Sequence, residues 1–266
     1  MTALTREFRA SFAFVERNFN LSKRYWGWEV AFMVYSVAGA LAVTLIGRDQ
    51  NSARLILSLM IGATFWNYLS VVFSIIAEQI SWERWEGTLE YTMMAPVRRV
   101  SQLLGSTVFA IIWGLIHTVV VLTVLVLFFG IDLSHANFLT ALVLMLVGSL
   151  SIIGIGIMAA TLPLIWVERG DQMVFVIQSL LLLISGVYYS VTILPAPMQV
   201  VSALSPATYI LDGVRQALID GAPVTSMGDH LLPLAVMAVV FIPLGVFVFG
   251  RAERYAKRTG KLKRVG

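Results

Sequence analysis

EQISWERWEGTLEYTMMAPVRR, residues 78–99, separates two long apolar runs. Residues 55–77 before it hold no Asp, Glu, Lys or Arg, and residues 100–131 after it hold none either. Inside a bilayer every backbone group must find its partner within the protein, which an α-helix achieves alone. The island is therefore a charged, aromatic-rich segment between membrane helices. Such a segment suits a handle that a soluble partner grips.

Composition agrees. The 266 residues are 58% hydrophobic and only 13% charged, against about 25% charged in soluble domains. There is no cysteine, which excludes disulfides and thiolate metal sites. The net charge is +4 and the pI about 9.5. The basic residues flank apolar runs, so membrane orientation explains them and nucleic acid is not an expected partner.

A span needs about 20 apolar residues. The gaps between charges predict six: 30–47, 55–77, 100–131, 136–167, 172–194 and 231–250. Of the 19 Lys and Arg, only Arg48, Arg54 and Arg215 then fall in outer loops. This positive-inside bias puts both termini in the cytoplasm and predicts a multi-pass protein of the plasma membrane. Ala40-Leu41-Ala42 mimics a signal-cleavage site, but it lies within an apolar run behind a long charged leader, and is read as part of a span.

In that leader Leu4, Phe8, Phe12, Val15 and Phe19 share one helical face, with Arg6, Arg9 and Arg17 off it. Residues 1–28 read as an amphipathic helix on the inner leaflet, closed by Tyr25, Trp26 and Trp28 at the interface. The alternative is a short soluble helix on a partner. At the other end the basic tail, 251–266, reads as an anchor to anionic lipid.

Within the island, Trp82, Trp85, Leu89 and Met93 share a stripe, and Glu83, Glu86 and Glu90 form an acidic stripe beside it. Gly87 interrupts the helix, Thr88 can cap a new one, and Pro96 stops it. The second span is expected to reach about Trp85, followed by a short transverse helix over 88–95. Arg98 and Arg99 then anchor the third span at the phosphate level. The alternative is an amphipathic loop resting on lipid.

Glu86-Gly87-Thr88-Leu89-Glu90 and Ala95-Pro96-Val97-Arg98-Arg99 resemble the E-x-G-T-L-E…P-V-x-R segment of ABC-2 type permeases, the membrane subunits of one class of ATP-binding cassette exporters. Ser185-Gly186-Val187-Tyr188-Tyr189, Leu194-Pro195, Leu204-Ser205-Pro206-Ala207-Thr208-Tyr209 and Asp212-Gly213-Val214-Arg215 are similar to the family's S-G-x-x-[FY]…L-P…x-P-x-x-Y…D-x-x-R pattern. Ser205 departs from the Asn common before this proline in polysaccharide exporters. The resemblance implies one domain over 1–266: an all-α integral membrane protein with six transmembrane helices, an interfacial helix, a cytoplasmic coupling helix and short re-entrant outer helices. It implies a half-transporter that dimerises and binds two ATPase subunits. The segment 78–99 would then seat in the ATPase through Glu83, Glu86, Gly87, Thr88, Leu89, Glu90, Pro96 and Arg98. The acidic stripe would meet basic groups there.

ATP and Mg belong to the partner in this reading, and the chain itself binds no cofactor. No G-x-x-x-x-G-K-[ST] occurs, and Gly260-Lys261 lacks the upstream glycine. The segment 195–230 is outer by topology. Pro195, Pro197 and Pro206 break it into pieces with apolar faces, read as short helices dipping into the outer leaflet, against an ordinary loop. Tyr188, Tyr189, Pro195, Pro206 and Tyr209 are candidates for an outer gate or substrate path, the two adjacent tyrosines equally for interface aromatics. Asn67, His117 and Gln178 read as hydrogen-bond contacts between spans, and Gly156 with Ala160 as a small-residue packing pair.

The favoured function is an exporter permease, with an amphiphilic drug, a lipid or a lipid-linked glycan as substrate. The alternative is an ATP-independent secondary transporter or channel. Such proteins use intramembrane charges or internal repeats, and neither is visible here. An intramembrane enzyme lacks support, since H-E-x-x-H and G-x-S-x-G are absent.

Overall fold

The long apolar runs fold as helices, and the breaks at Gly87, Gly130 and Gly186 fall at glycines with positive φ. The computed structural model describes residues 3–49 and 52–262. Helix α1 (Ala3–Arg24) meets α2 (Trp26–Asp49) at Tyr25. Then follow α3 (Ala53–Ala77), α4 (Gln79–Trp85), α5 (Leu89–Met94) and α6 (Arg99–Phe129). After a loop come α7 (Phe138–Ala159), α8 (Thr161–Ile165) and α9 (Gly170–Ile184). The chain continues through α10 (Ala196–Ser202) and α11 (Pro206–Ile219) to α12 (Gly228–Arg258). No strand occurs among the described residues.

Five helices are long and apolar enough to cross a membrane: α2, α3, α6, the pair α7–α8 taken together, and α12. The fifth expected span, 172–194, is cut short. Helix α9 has 15 residues, or about 22 Å at 1.5 Å per residue, below the ~30 Å hydrocarbon core. Gly186 stops it by adopting φ +65°, a left-handed conformation that side chains with a Cβ resist. The second span likewise does not run unbroken to Trp85. It ends at Ala77, and Glu78 separates it from α4.

Helix α3 is the hub. It packs against α2, α6, α7 and α11. Its Tyr68 is fully buried, and the Tyr68 and Ser149 hydroxyls, 2.5 Å apart, tie it to α7. Helices α7 and α12 make their close approach at Gly154 and Gly245: a Cβ on Gly245 would sit 2.7 Å from the Gly154 carbonyl oxygen. The anticipated Gly156 also packs closely, against Ile76 and the Phe73 carbonyl of α3.

Helix α1 crosses the start of α6 at Gly105, where a Cβ would come within 2.4 Å of the Ser11 carbonyl oxygen. Its expected stripe divides. Phe19 packs edge-on against Phe109 and Trp113, while Phe8 and Phe12 are exposed. The Leu4 and Arg6 side chains lie outside the described residues.

The 195–230 segment is helical. Helix α11 buries Ile210, Leu211, Val214, Ala217 and Leu218 against α7, α3 and α12. At the tail, α12 stays helical to Arg258, and Lys261 donates to the Ile165 carbonyl at the end of α8, where a cation is favoured by the helix dipole. Lys263 and Arg264 lie outside the described residues.

Candidate functional site

The 78–99 segment becomes two helices with a reset between them. Gly87 adopts φ +72°, so α4 and α5 do not share one helical phase. The expected stripes therefore dissolve. Trp82 and Trp85 are exposed, whereas Leu89 and Met93 are buried. The acidic stripe is a correction too. Glu83 is 1% exposed, Glu86 is half-buried, and Glu90 alone faces outward.

Glu83 is buried because it has partners. The Arg17 guanidinium donates to its Oε1 at 2.7 Å, and Gln102 Nε2 donates to the same oxygen at 3.1 Å. A buried carboxylate needs such charge-assisted bonds. Glu86 accepts from the Tyr25 hydroxyl at 2.5 Å and lies 3.8 Å from Arg24. Both carboxylates thus face the amino-terminal helices. Thr88 stands at the N-cap position of α5, but its side chain makes no cap bond. Its hydroxyl accepts from Arg17 and donates to the Glu83 carbonyl.

Pro96 ends α5 as expected, by forcing Ala95 into an extended conformation with ψ 142°. Arg98 is exposed and pairs with Glu7 at 3.5 Å. Arg99 is turned inward rather than toward lipid phosphates. It donates to the Thr92 carbonyl at 2.8 Å, to Gln102 at 2.9 Å and to Glu253 at 3.1 Å. Glu253 also pairs with Lys257 at 2.7 Å. One polar network therefore runs from α1 through α4, α5 and α6 to α12. Arg84 adds a link from α4 to the Pro163 carbonyl of α8, and burial pushes its guanidinium below the usual arginine range.

This leaves α5 with one free face. Tyr91 is 80% exposed and Met94 82% exposed, with Glu90, Pro96 and Arg98 beside them. The sequence reading missed Tyr91 and Met94, because a stripe drawn through Gly87 assigned that face elsewhere. It also missed Arg17, Gln102 and Glu253, whose roles depend on contacts between distant segments.

The second set of candidates lies at the opposite end of the bundle. Tyr189 donates its hydroxyl to the Leu183 carbonyl, and Tyr209 to the Ala203 carbonyl at 3.0 Å. Tyr188 packs against the core. Pro195 precedes α10 and Pro206 opens α11. The Ser185 and Ser205 hydroxyls lie 2.8 Å apart. Arg215 reaches from α11 to the carbonyls of Gly186 and Val187 and lies 3.6 Å from Asp212. The turn fits over α3 only because residue 62 is glycine: a Cβ there would collide with the Val187 carbonyl oxygen. These residues staple the end of α9 to α11.

Two motifs far apart in the chain thus sit at opposite ends of one helical bundle. A family model, ABC-2 type transporter, matches residues 10–219, a range that includes both. The chain belongs to the ABC-2 type transporter family. No curated protein matches it. The permease is accordingly a multi-pass membrane protein and a transport subunit of an ABC transporter, a class that works with an ABC ATPase. Among the described residues of this ABC-2 permease, no cluster of three or more His, Asp or Glu could hold a metal ion.

Proposed function

We propose that the protein is the membrane half-unit of an ATP-driven exporter of an amphiphilic substrate, built from two permease copies and two separate ATPase subunits. The observation that carries this reading is the free face of α5, presenting Tyr91 and Met94 from a helix tied by Arg17 and Arg99 to α1, α6 and α12. A partner seated on Glu90, Tyr91, Met94, Pro96 and Arg98 would grip α5. Glu83, Gly87, Thr88 and Leu89 would act behind that surface, holding its shape. ATP and Mg, bound by the partner, would supply the closing movement, and the polar network would carry it to the spans.

The arrangement of ends supports six crossings. Helix α1 packs on the start of α6, and α12 ends near Arg99. Both described ends of the chain therefore share the α5 side, which agrees with an even number of crossings. Helix α9 starts at that side, where Ser81 donates to Asp171, and runs toward the outer segment, where Ser202 donates to the Ile184 carbonyl. With α10 and α11 it would complete the fifth passage as a re-entrant outer element. The bias of Lys and Arg assigns the α5 side to the cytoplasm of a plasma membrane. Exposed Phe8 and Phe12 on α1 suit contact with inner-leaflet lipid. A single half-unit encloses no path of its own, which favours a homodimer.

Co-expression with a candidate ABC ATPase, followed by purification and mass measurement in detergent, tests the reading. Two permeases and two ATPases, with ATP hydrolysis coupled to efflux from proteoliposomes, are expected. A transport-competent single copy, or efflux without ATP, would overturn it.

A further inference from the structure

A cleft of about 430 Å³ opens among α1, α2, α3, α4, α6 and α9. Its walls are aromatic: Phe32, Tyr35, Trp82, Phe109, Trp113 and Phe175. Phe32, Tyr35 and Phe175 are exposed and stand at its rim on the apolar surface. Its charges are mostly of one sign. Glu29, Glu78, Glu83 and Glu86 line it, against Arg17 alone, and Arg17 is engaged by Glu83 and Thr88. Glu86 has Tyr25 and Arg24 as partners. Glu29 accepts from the Trp113 indole at 3.2 Å. Neither Glu29 nor Glu78 has an ion-pair partner among the described residues.

A second observation points to a ligand. His117, only 4% exposed, lines the cleft with neither ring nitrogen hydrogen-bonded. Glu83 Oε2, Asn67 Oδ1, Ser70 Oγ and Gln79 Nε2 are likewise buried on this lining without a partner. Native proteins satisfy nearly all buried polar groups, so five residues that each keep an unpaired buried polar atom around one cleft call for an occupant. An apolar cavity with a few convergent polar groups is the usual form of a small-molecule site.

We propose that this cleft binds an organic cation with a broad aromatic or apolar body. Glu29 and Glu78 receive the charge, the aromatic walls receive the body and add cation–π attraction, and His117 faces the bound molecule. The proposal rests on the transport reading for its consequence, that such cations are the cargo. An anion of the same shape meets two acidic groups with no cation beside them and is rejected.

The test uses the full chain in lipid nanodiscs, with no ATPase needed. Binding of tetraphenylphosphonium and of tetraphenylborate, nearly identical in shape and opposite in charge, is measured by equilibrium dialysis, with empty nanodiscs subtracting lipid partition. Tetraphenylphosphonium is expected to bind at least tenfold more tightly. Glu29→Gln and Glu78→Gln should each weaken it about tenfold, and the double variant should bring it to the lipid background. Equal binding of the two ions, no binding above empty discs, or selective binding unchanged in the double variant would overturn the proposal. The comparison on the unaltered protein holds even where a variant folds poorly. ATPase retention is scored separately: a permease that holds its ATPase but ignores the cation sinks this proposal and leaves the exporter reading standing.

Discussion

Arg17 Nη1 lies 2.7 Å from Glu83 Oε1, so that the amino-terminal helix and the 78–99 segment share a buried charge. Removing one partner of a fully buried pair costs about 3–5 kcal/mol. Arg17 keeps some contact with solvent, which lowers the figure toward about 2 kcal/mol. Glu83→Ala should lower the Tm of the purified permease clearly, whereas Glu90→Ala should leave it unchanged. An unaltered Tm in Glu83→Ala would mean that the pair contributes nothing to holding α1 in place.

Tyr91 and Met94 on α5 should dominate the ATPase contact. Fully burying such side chains is worth about 1.5–3 kcal/mol each. The double change to alanine should weaken ATPase association at least tenfold, with the Tm of the isolated permease preserved, since both side chains are already exposed. Retention of the ATPase at wild-type levels in a pull-down titration would place the contact elsewhere.

Gly87 at φ +72° sets the angle between α4 and α5. Alanine there costs about 1–2 kcal/mol in a left-handed conformation. Gly87→Ala should reduce both stability and ATP-coupled efflux, because the free face of α5 rotates. Normal coupling at reduced stability would show that the angle does not matter to the partner.

Glu78 follows α3 directly, and burial raises its carboxyl to about 7, helped by Asp171 and opposed by Ser74. A raised acid pKa means that the folded state holds the proton more tightly than the unfolded one. Stability then falls as pH rises from about 4.5 to 7, the interval between the ordinary and the raised value. Glu78→Gln should therefore match the unaltered permease near pH 4.5 and exceed its Tm at pH 8. Parallel Tm curves for the two proteins across this interval would contradict the burial of the charge.

The outer segment offers a labelling test, clean because cysteine is absent. Val200 and Ile193 are exposed on the bundle surface and would be lipid-covered if the segment dips into the leaflet. Cysteines there should react slowly with a membrane-impermeant thiol reagent. One at Asp132, in the loop after α6, should react fast. Equal rates would make the segment an ordinary outer surface.

Much of this was legible locally. Pro96, Gly87 and the apolar gaps place breaks and spans through properties of single residues or short windows. The extent of α9 was not, because hydropathy continues past Ile184 while the backbone does not. The turn at Gly186 that ends it is held by Arg215, which donates to the carbonyls of Gly186 and Val187 from 28 residues or more away. The acidic stripe misled for a different reason: helical phase was carried across Gly87, whose φ of +72° resets it.

The sequence alone determined that the chain is helical, that it lies in a membrane, which end is basic, and to which motifs it is similar. Those properties follow from composition and near-neighbour spacing, since the bilayer permits few solutions for an apolar run. Only the tertiary structure decided which charges are surfaces and which are joints. Glu83 and Glu90 are the same residue type in one short segment, yet one is sealed by Arg17 and Gln102 and the other faces outward. Burial of a charge depends on where its partner arrives, and here the partners come from helices that meet only in the folded bundle.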